Sequence, residues 1–160
     1  MKLIAHRGNI VGPNPLEENK LEYIEAAIAG GYDVEIDVRW EDHQFYLGHD
    51  GPQYYVPMTW LVKRKDKLWI HCKDFKSLNI FSNSPIDFNF FWHENDNYTL
   101  TSKGYIWTYP GQLFENNSVI VMPEVFDLQN IQDNDTIVYS KKSFAVCSDY
   151  AVSYTHLTLP

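Results

Sequence analysis

The chain has 160 residues, 44% hydrophobic and 21% charged, which is the size and make-up of one compact domain rather than of two domains or a disordered segment. Its 21 Asp and Glu outnumber 13 Lys and Arg, for a net charge of −8, and the longest basic run is Lys63-Arg64-Lys65, so the broad cationic footprint of a nucleic-acid-binding protein is missing. The apolar runs, such as Phe88 to Trp92 and Ser118 to Met122, are strand-sized and far short of the roughly 20 residues of a membrane-crossing helix.

Met1-Lys2-Leu3-Ile4-Ala5-His6-Arg7 breaks into charge too early to hold the apolar centre of a signal peptide, and a cytoplasmic protein is expected. Leu3 to His6 reads as a first strand running into Gly8. Leu21, Ile24 and Ile28 then recur at helical spacing, with Asn19 as a candidate N-cap and Gly30-Gly31 as the stop. Asp33 to Trp40 alternates β-branched and polar residues and reads as a second strand. A helix-long crossover between these strands predicts that they are parallel and adjacent, with a right-handed connection.

Further strand candidates are Gln44 to Gly48, Leu68 to Lys73, Phe88 to His93, Tyr105 to Tyr109, Ser118 to Met122, Thr136 to Tyr139 and Phe144 to Asp149. Thr59 to Lys65 and Phe75 to Phe81 are the best remaining helices. Strands alternating with helices predict an α/β domain, and their number predicts a TIM-type (β/α) barrel, trimmed or truncated because such a barrel usually takes about 250 residues. Cys72 and Cys147 lie outside any metal or redox spacing and read as buried apolar residues.

The period of two places Glu35, Asp37 and Arg39 on one face of the second strand and Val34, Ile36 and Val38 on the other. Two acids turned into a barrel interior persist only if a cation offsets them, and hard oxygen ligands suit Mg²⁺ or Ca²⁺. The plainer reading of such a pair is a solvated strand face. His6-Arg7-Gly8 ends the first strand, and Gly48-His49-Asp50-Gly51 follows the strand after the carboxylates. Two histidines titrating near neutrality can serve as general acid and general base across a phosphate, and Arg7 can offer its planar fork to phosphate oxygens. Taken singly, each histidine could equally be a packed or surface residue.

The order His6-Arg7-Gly8, Glu18-Asn19, Glu35-x-Asp37 and Gly48-His49-Asp50 resembles the glycerophosphodiester phosphodiesterase family, over residues 3–50. The resemblance implies a TIM barrel with a metal-dependent phosphodiesterase site. It makes His6 and His49 the acid/base pair, Glu35 and Asp37 metal ligands, and Arg7 a phosphate contact, and it sets Glu18 beside the active site as a further candidate ligand. The next strand departs from the family, with His71-x-Lys73 where Glu-x-Lys is usual. Lys73 then matches the phosphate-facing lysine, while the third ligand is either His71, which lowers the negative charge of the site and opens it to Mn²⁺ or Zn²⁺, or a nearby acid in place of the glutamate.

Farther on, His93, Trp107 and Glu124 are candidates to line the substrate pocket, with Trp107 available to cover an apolar or cationic head group, and Trp92 reads as core. Ser148-Asp149 resembles the end of the family's final strand. A small phosphodiester is the expected substrate. A cyclic-phosphate-forming lyase with the same two histidines and a non-catalytic head-group-binding barrel are the competing readings, and nothing in the sequence speaks to oligomeric state. Residues 152–160, Val-Ser-Tyr-Thr-His-Leu-Thr-Leu-Pro, resemble one translated reading frame of a transposon-derived sequencing adapter. They are expected to be foreign to a domain spanning residues 1–151, which removes His156 as a candidate.

Overall fold

A computed structural model describes residues 1–127 and 142–157. The first unit is as expected: strand β1 (Lys2–His6), helix α1 (Leu21–Ala29) and strand β2 (Asp33–Glu41), with β1 and β2 parallel and His6 opposite Glu35. Helix α1 starts at Lys20 without a side-chain cap, because Asn19 turns its amide toward Asp37 instead. Gly31, at φ +94, ends the helix in the left-handed conformation that glycine adopts without strain.

After β2 the chain reverses through Asp42 and His43, both at positive φ, the geometry of a two-residue hairpin turn, into β3 (Gln44–Leu47). Strand β4 (Tyr54–Tyr55), helix α2 (Met58–Arg64), strand β5 (Leu68–Cys72), helix α3 (Phe75–Ser82) and strand β6 (Phe90–Phe91) follow. The Asp74 side chain caps α3 by accepting from the Ser77 N–H at 2.7 Å. The rest is β7 (Tyr98–Leu100), β8 (Ile106–Thr108), β9 (Ser118–Val121), the one-turn helix α4 (Glu124–Asp127), β10 (Ala145–Ser148) and a 3-10 helix over Ala151–Leu157. The strand expected over Thr136 to Tyr139 lies outside the described residues.

One ten-stranded mixed sheet contains all of these strands. Its parallel part runs β6-β5-β2-β1-β10-β9-β8, with the β3–β4 hairpin on β2 and β7 antiparallel on β8. The expected TIM-type (β/α) barrel is not what forms: the sheet curls into a half-barrel, and the fold is small and β-rich rather than helix-rich. The reason is local. Residues 109–117 join β8 to β9 without a helix, an antiparallel strand replaces the crossover between β6 and β8, and α4 is a single turn. Among the described residues, the helical layer is therefore the one made by α1, α2 and α3.

Alternation sorts the side chains of the curled sheet. Val34, Ile36 and Val38 of β2 and Leu68, Ile70 and Cys72 of β5 face the helices in one buried cluster. The concave face carries a second cluster of Ile4, Trp69, Phe91, Trp107, Val119, Ala145 and Cys147. Phe91 stacks on Trp107 at 4.5 Å between ring centroids, and these apolar side chains fill the floor of the curl. Both cysteines are free and buried, as expected. The 3-10 helix lies against β1, and its Tyr154 is buried, with the hydroxyl 3.5 Å from Glu124 Oε2. Among the described residues, no helix is long and apolar enough to cross a membrane.

Candidate functional site

Two residues farther along each strand, the concave face turns from apolar to ionisable. Ile4 of β1 is followed by His6, Trp69 of β5 by His71 and then Lys73, Cys147 of β10 by Asp149, and β2 contributes Glu35 and Asp37. Parallel register sets His6 opposite Glu35 and Asp37 opposite His71, so neighbouring strands deliver these groups at one level. They open into a cavity of about 620 Å³ whose lining includes His6, Arg7, Glu35, His49, His71 and Lys73.

Glu35, Asp37 and His71 each offer a ligand atom, and these atoms lie within 4.8 Å of one another. His71 Nδ1 is 3.4 Å from Asp37 Oδ1 and 3.7 Å from Glu35 Oε1. Its other nitrogen, Nε2, is 3.2 Å from the carbonyl of His93, an acceptor only, so Nε2 carries a proton and Nδ1 is the nitrogen turned toward the acids. Glu35 Oε2 and Asp37 Oδ1 are buried without a hydrogen-bond donor. Buried carboxylate oxygens left unpaired are costly, and a divalent cation removes that cost. The residues thus fit a metal ion. Glu18 sits apart from this trio, against Arg7 Nη1 at 3.2 Å and Asn9 Nδ2 at 2.8 Å.

Acids and cations are packed against one another in the site. Burial disfavours the charged form of His71, but the Asp37 and Glu35 carboxylates beside it outweigh that effect and push its pKa up to about 9. Burial likewise works against Asp37, yet His71, the Arg7 guanidinium and the Asn19 amide hold it far below the usual carboxylate range. Arg7 Nε lies 3.0 Å from Asp37 Oδ2, and Lys73 Nζ lies 3.9 Å from Asp37 Oδ1. Arg7 adopts φ 54, a strained value for a non-glycine residue, and its carbonyl accepts from the Asn19 N–H.

The two histidines are held differently. His6 Nδ1 is 2.7 Å from Asp149 Oδ1, and Nε2 faces Glu35 Oε2 at 3.8 Å. Burial opposes the His6 charge, but the bond to Asp149 and the charge of Glu35 raise its pKa above the ordinary value. His49 is half-exposed, with Nδ1 2.8 Å from Asp50 Oδ1. Its loop is tied to β2 by Arg39, whose Nε donates to the Gly48 carbonyl at 2.9 Å and whose Nη2 donates to the His49 carbonyl. Gly48 sits at φ +150, where a Cβ would fall 2.0 Å from the Gly51 carbonyl oxygen, so only glycine allows this bend.

The aromatic candidates separate. Trp107 lines the cavity but is only 5% exposed, with its ring stacked in the floor cluster. His93 lines it too and pairs with Asp96 at 2.9 Å. Trp92 lines the cavity as well as packing against the helix-side core. Glu124 is buried outside the cavity lining and accepts from Ser148 Oγ and the Asp149 N–H. Asp149, Asn9 and Asn19 are the polar groups that sequence reasoning did not assign to the site. Asn9 donates to Asp149 at 2.8 Å and to Glu18, tying β10 to the loop after β1. Asn19, expected as a helix cap, instead donates its amide to Asp37 Oδ2 at 3.0 Å and accepts from the Asp37 N–H at 3.1 Å.

Comparison of the chain with protein-family models, with curated proteins and with solved structures gives no match.

Proposed function

We propose that the chain is a metal-dependent phosphodiesterase acting on a glycerophosphodiester or a similar small phosphodiester. One observation carries the reading: His6, Arg7, Glu35, His49, His71 and Lys73 line one cavity, with Asp37 buried against them. Glu35, Asp37 and His71 would hold a divalent ion, which polarises a phosphoryl oxygen when bound. Two carboxylates accept Mg²⁺ or Ca²⁺, and the imidazole extends the choice to Mn²⁺ or Zn²⁺.

Arg7 and Lys73 supply fixed positive charge toward phosphate oxygens. Asp149 anchors Nδ1 of His6 and thereby presents Nε2 to the cavity, while Arg39 fixes the loop that carries His49. One imidazole takes a proton from water or a substrate hydroxyl, and the other protonates the leaving alkoxide. The acidic composition, with no basic run longer than Lys63-Arg64-Lys65, supports a small-molecule rather than a nucleic-acid partner.

The test is ³¹P NMR of glycerophosphodiesters and turnover of a chromogenic phosphodiester with Mg²⁺, Ca²⁺, Mn²⁺, Zn²⁺ or EDTA, beside His6→Ala and His49→Ala. Metal-dependent turnover that is lost in both variants is expected. A phosphomonoester product identifies hydrolysis, and a cyclic phosphate identifies the lyase. Folded protein with no turnover under any metal overturns the enzyme reading for these substrates.

A further inference from the structure

Among the described residues, several of the most exposed apolar side chains stand in the connections that follow the C-terminal ends of the parallel strands, the end at which the cavity opens. Val11 and Leu16, 76% and 79% exposed, follow β1, and Phe75, 73% exposed, follows β5. Leu113, 88% exposed, follows β8, and Val125, 60% exposed, follows β9. In a chain that is 21% charged, residues 8–16 after β1 and 109–114 after β8 contain no charged side chain at all. Two of the loops around the mouth are thus apolar and uncharged together, where a face meeting only water would carry charge.

Tyr109 and Val125 both line the cavity and stand exposed, so apolar side chains reach from the mouth into the cavity that holds Arg7 and Lys73. A ligand matching that gradient has an anionic phosphate at one end and an apolar body at the other. We infer that this face docks on a zwitterionic phospholipid surface, inserting the apolar side chains around the mouth so that the cavity meets the phosphodiester of an amphiphile. Zwitterionic rather than anionic lipid is required, because the protein carries a net charge of −8 and the uncharged loops offer no basic patch for anionic head groups. The docking surface stands on exposure and charge alone, whereas the amphiphilic substrate also rests on the phosphodiesterase reading.

Flotation of the full chain with phosphatidylcholine vesicles measures docking without any turnover. Wild-type protein is expected to float with the vesicles, and Leu16→Asp with Leu113→Asp is expected to lower the partition coefficient by at least about tenfold, as the loss of two inserted leucines requires. Leu100→Asp is the control. Leu100 is 66% exposed but pairs with Ile106 at the opposite end of β8, and its replacement leaves flotation unchanged. Circular dichroism confirms that all variants are folded, which their exposed positions favour. No flotation, flotation unaffected by the double variant, or flotation only with phosphatidylserine vesicles overturns the inference. So does a dimer in solution that the double variant dissociates, since the face would then be a contact between copies. Flotation without hydrolysis of any phosphodiester leaves the docking surface standing and removes the catalytic reading instead.

Discussion

Raising the pH of the metal-free protein removes a positive charge from between two buried carboxylates, and the cost of that step follows from the site. His71 has its pKa pushed from 6.5 to about 9 by Asp37 and Glu35 against the opposing effect of burial. A group whose pKa is raised on folding contributes stability that is complete below the unfolded value and is lost as pH rises through the folded one. At about 1.4 kcal/mol per tenfold in the protonation constant, the imidazolium contributes about 3 kcal/mol at pH 6, nearly all of it gone by pH 10. His71 is mostly buried, with 12% of its side chain exposed, so solvent screens little of this. Urea unfolding followed by tryptophan fluorescence, in EDTA from pH 7 to 10, is the assay. Wild-type stability falls by about 2–3 kcal/mol over that range, and the gap between wild type and His71→Asn closes as the pH passes 9. A gap that stays constant, or a wild-type stability that rises with pH, refutes the ion-paired imidazolium.

The same proton competes with a metal ion. If Nδ1 of His71 is a ligand, calorimetric Mn²⁺ affinity rises roughly tenfold per pH unit between pH 7 and 9, and His71→Asn flattens that slope. Asp149→Ala frees the His6 ring, and we expect kcat to fall by about 10²- to 10⁴-fold with KM little changed, while Asp149→Asn recovers part of the loss by keeping an acceptor near Nδ1. Steady-state kinetics of the two variants separate that orienting role from loss of fold. Gly48→Ala forces a methyl group against the Gly51 carbonyl, so the loop must move, and a drop in turnover exceeding any loss in melting temperature is expected.

Most regular elements were legible because their signals are local. The alternation in Asp33 to Trp40, the apolar spacing of Leu21, Ile24 and Ile28, and Gly30-Gly31 each encode a choice made within a few residues, and the structure has β2, α1 and its stop there. Short pieces escaped: β4, β7 and α4 are two to four residues long and carry too little pattern to stand out. The barrel expectation failed because element count says nothing about what joins the strands. Residues 109–117 and the antiparallel return through β7 lack the apolar helical face that would build an outer layer, and the sheet curls without one.

The same division runs through the site. Period two is enough to put Glu35 and Asp37 on one face of a strand, and His6, His49, His71 and Lys73 were recognisable as strand-end groups, because these facts depend on neighbours in sequence. Which groups touch was decided by the tertiary structure alone. Asp149 reaches His6 across 143 residues, Asn9 bridges Asp149 to Glu18, and the His93 carbonyl fixes the tautomer of His71, contacts that exist only once parallel register levels β10, β1, β2 and β5. Burial was decided there too: the sequence by itself determined that two carboxylates share a face, and only the curl of the sheet takes that face out of water, where carboxylate oxygens without hydrogen-bond donors become costly.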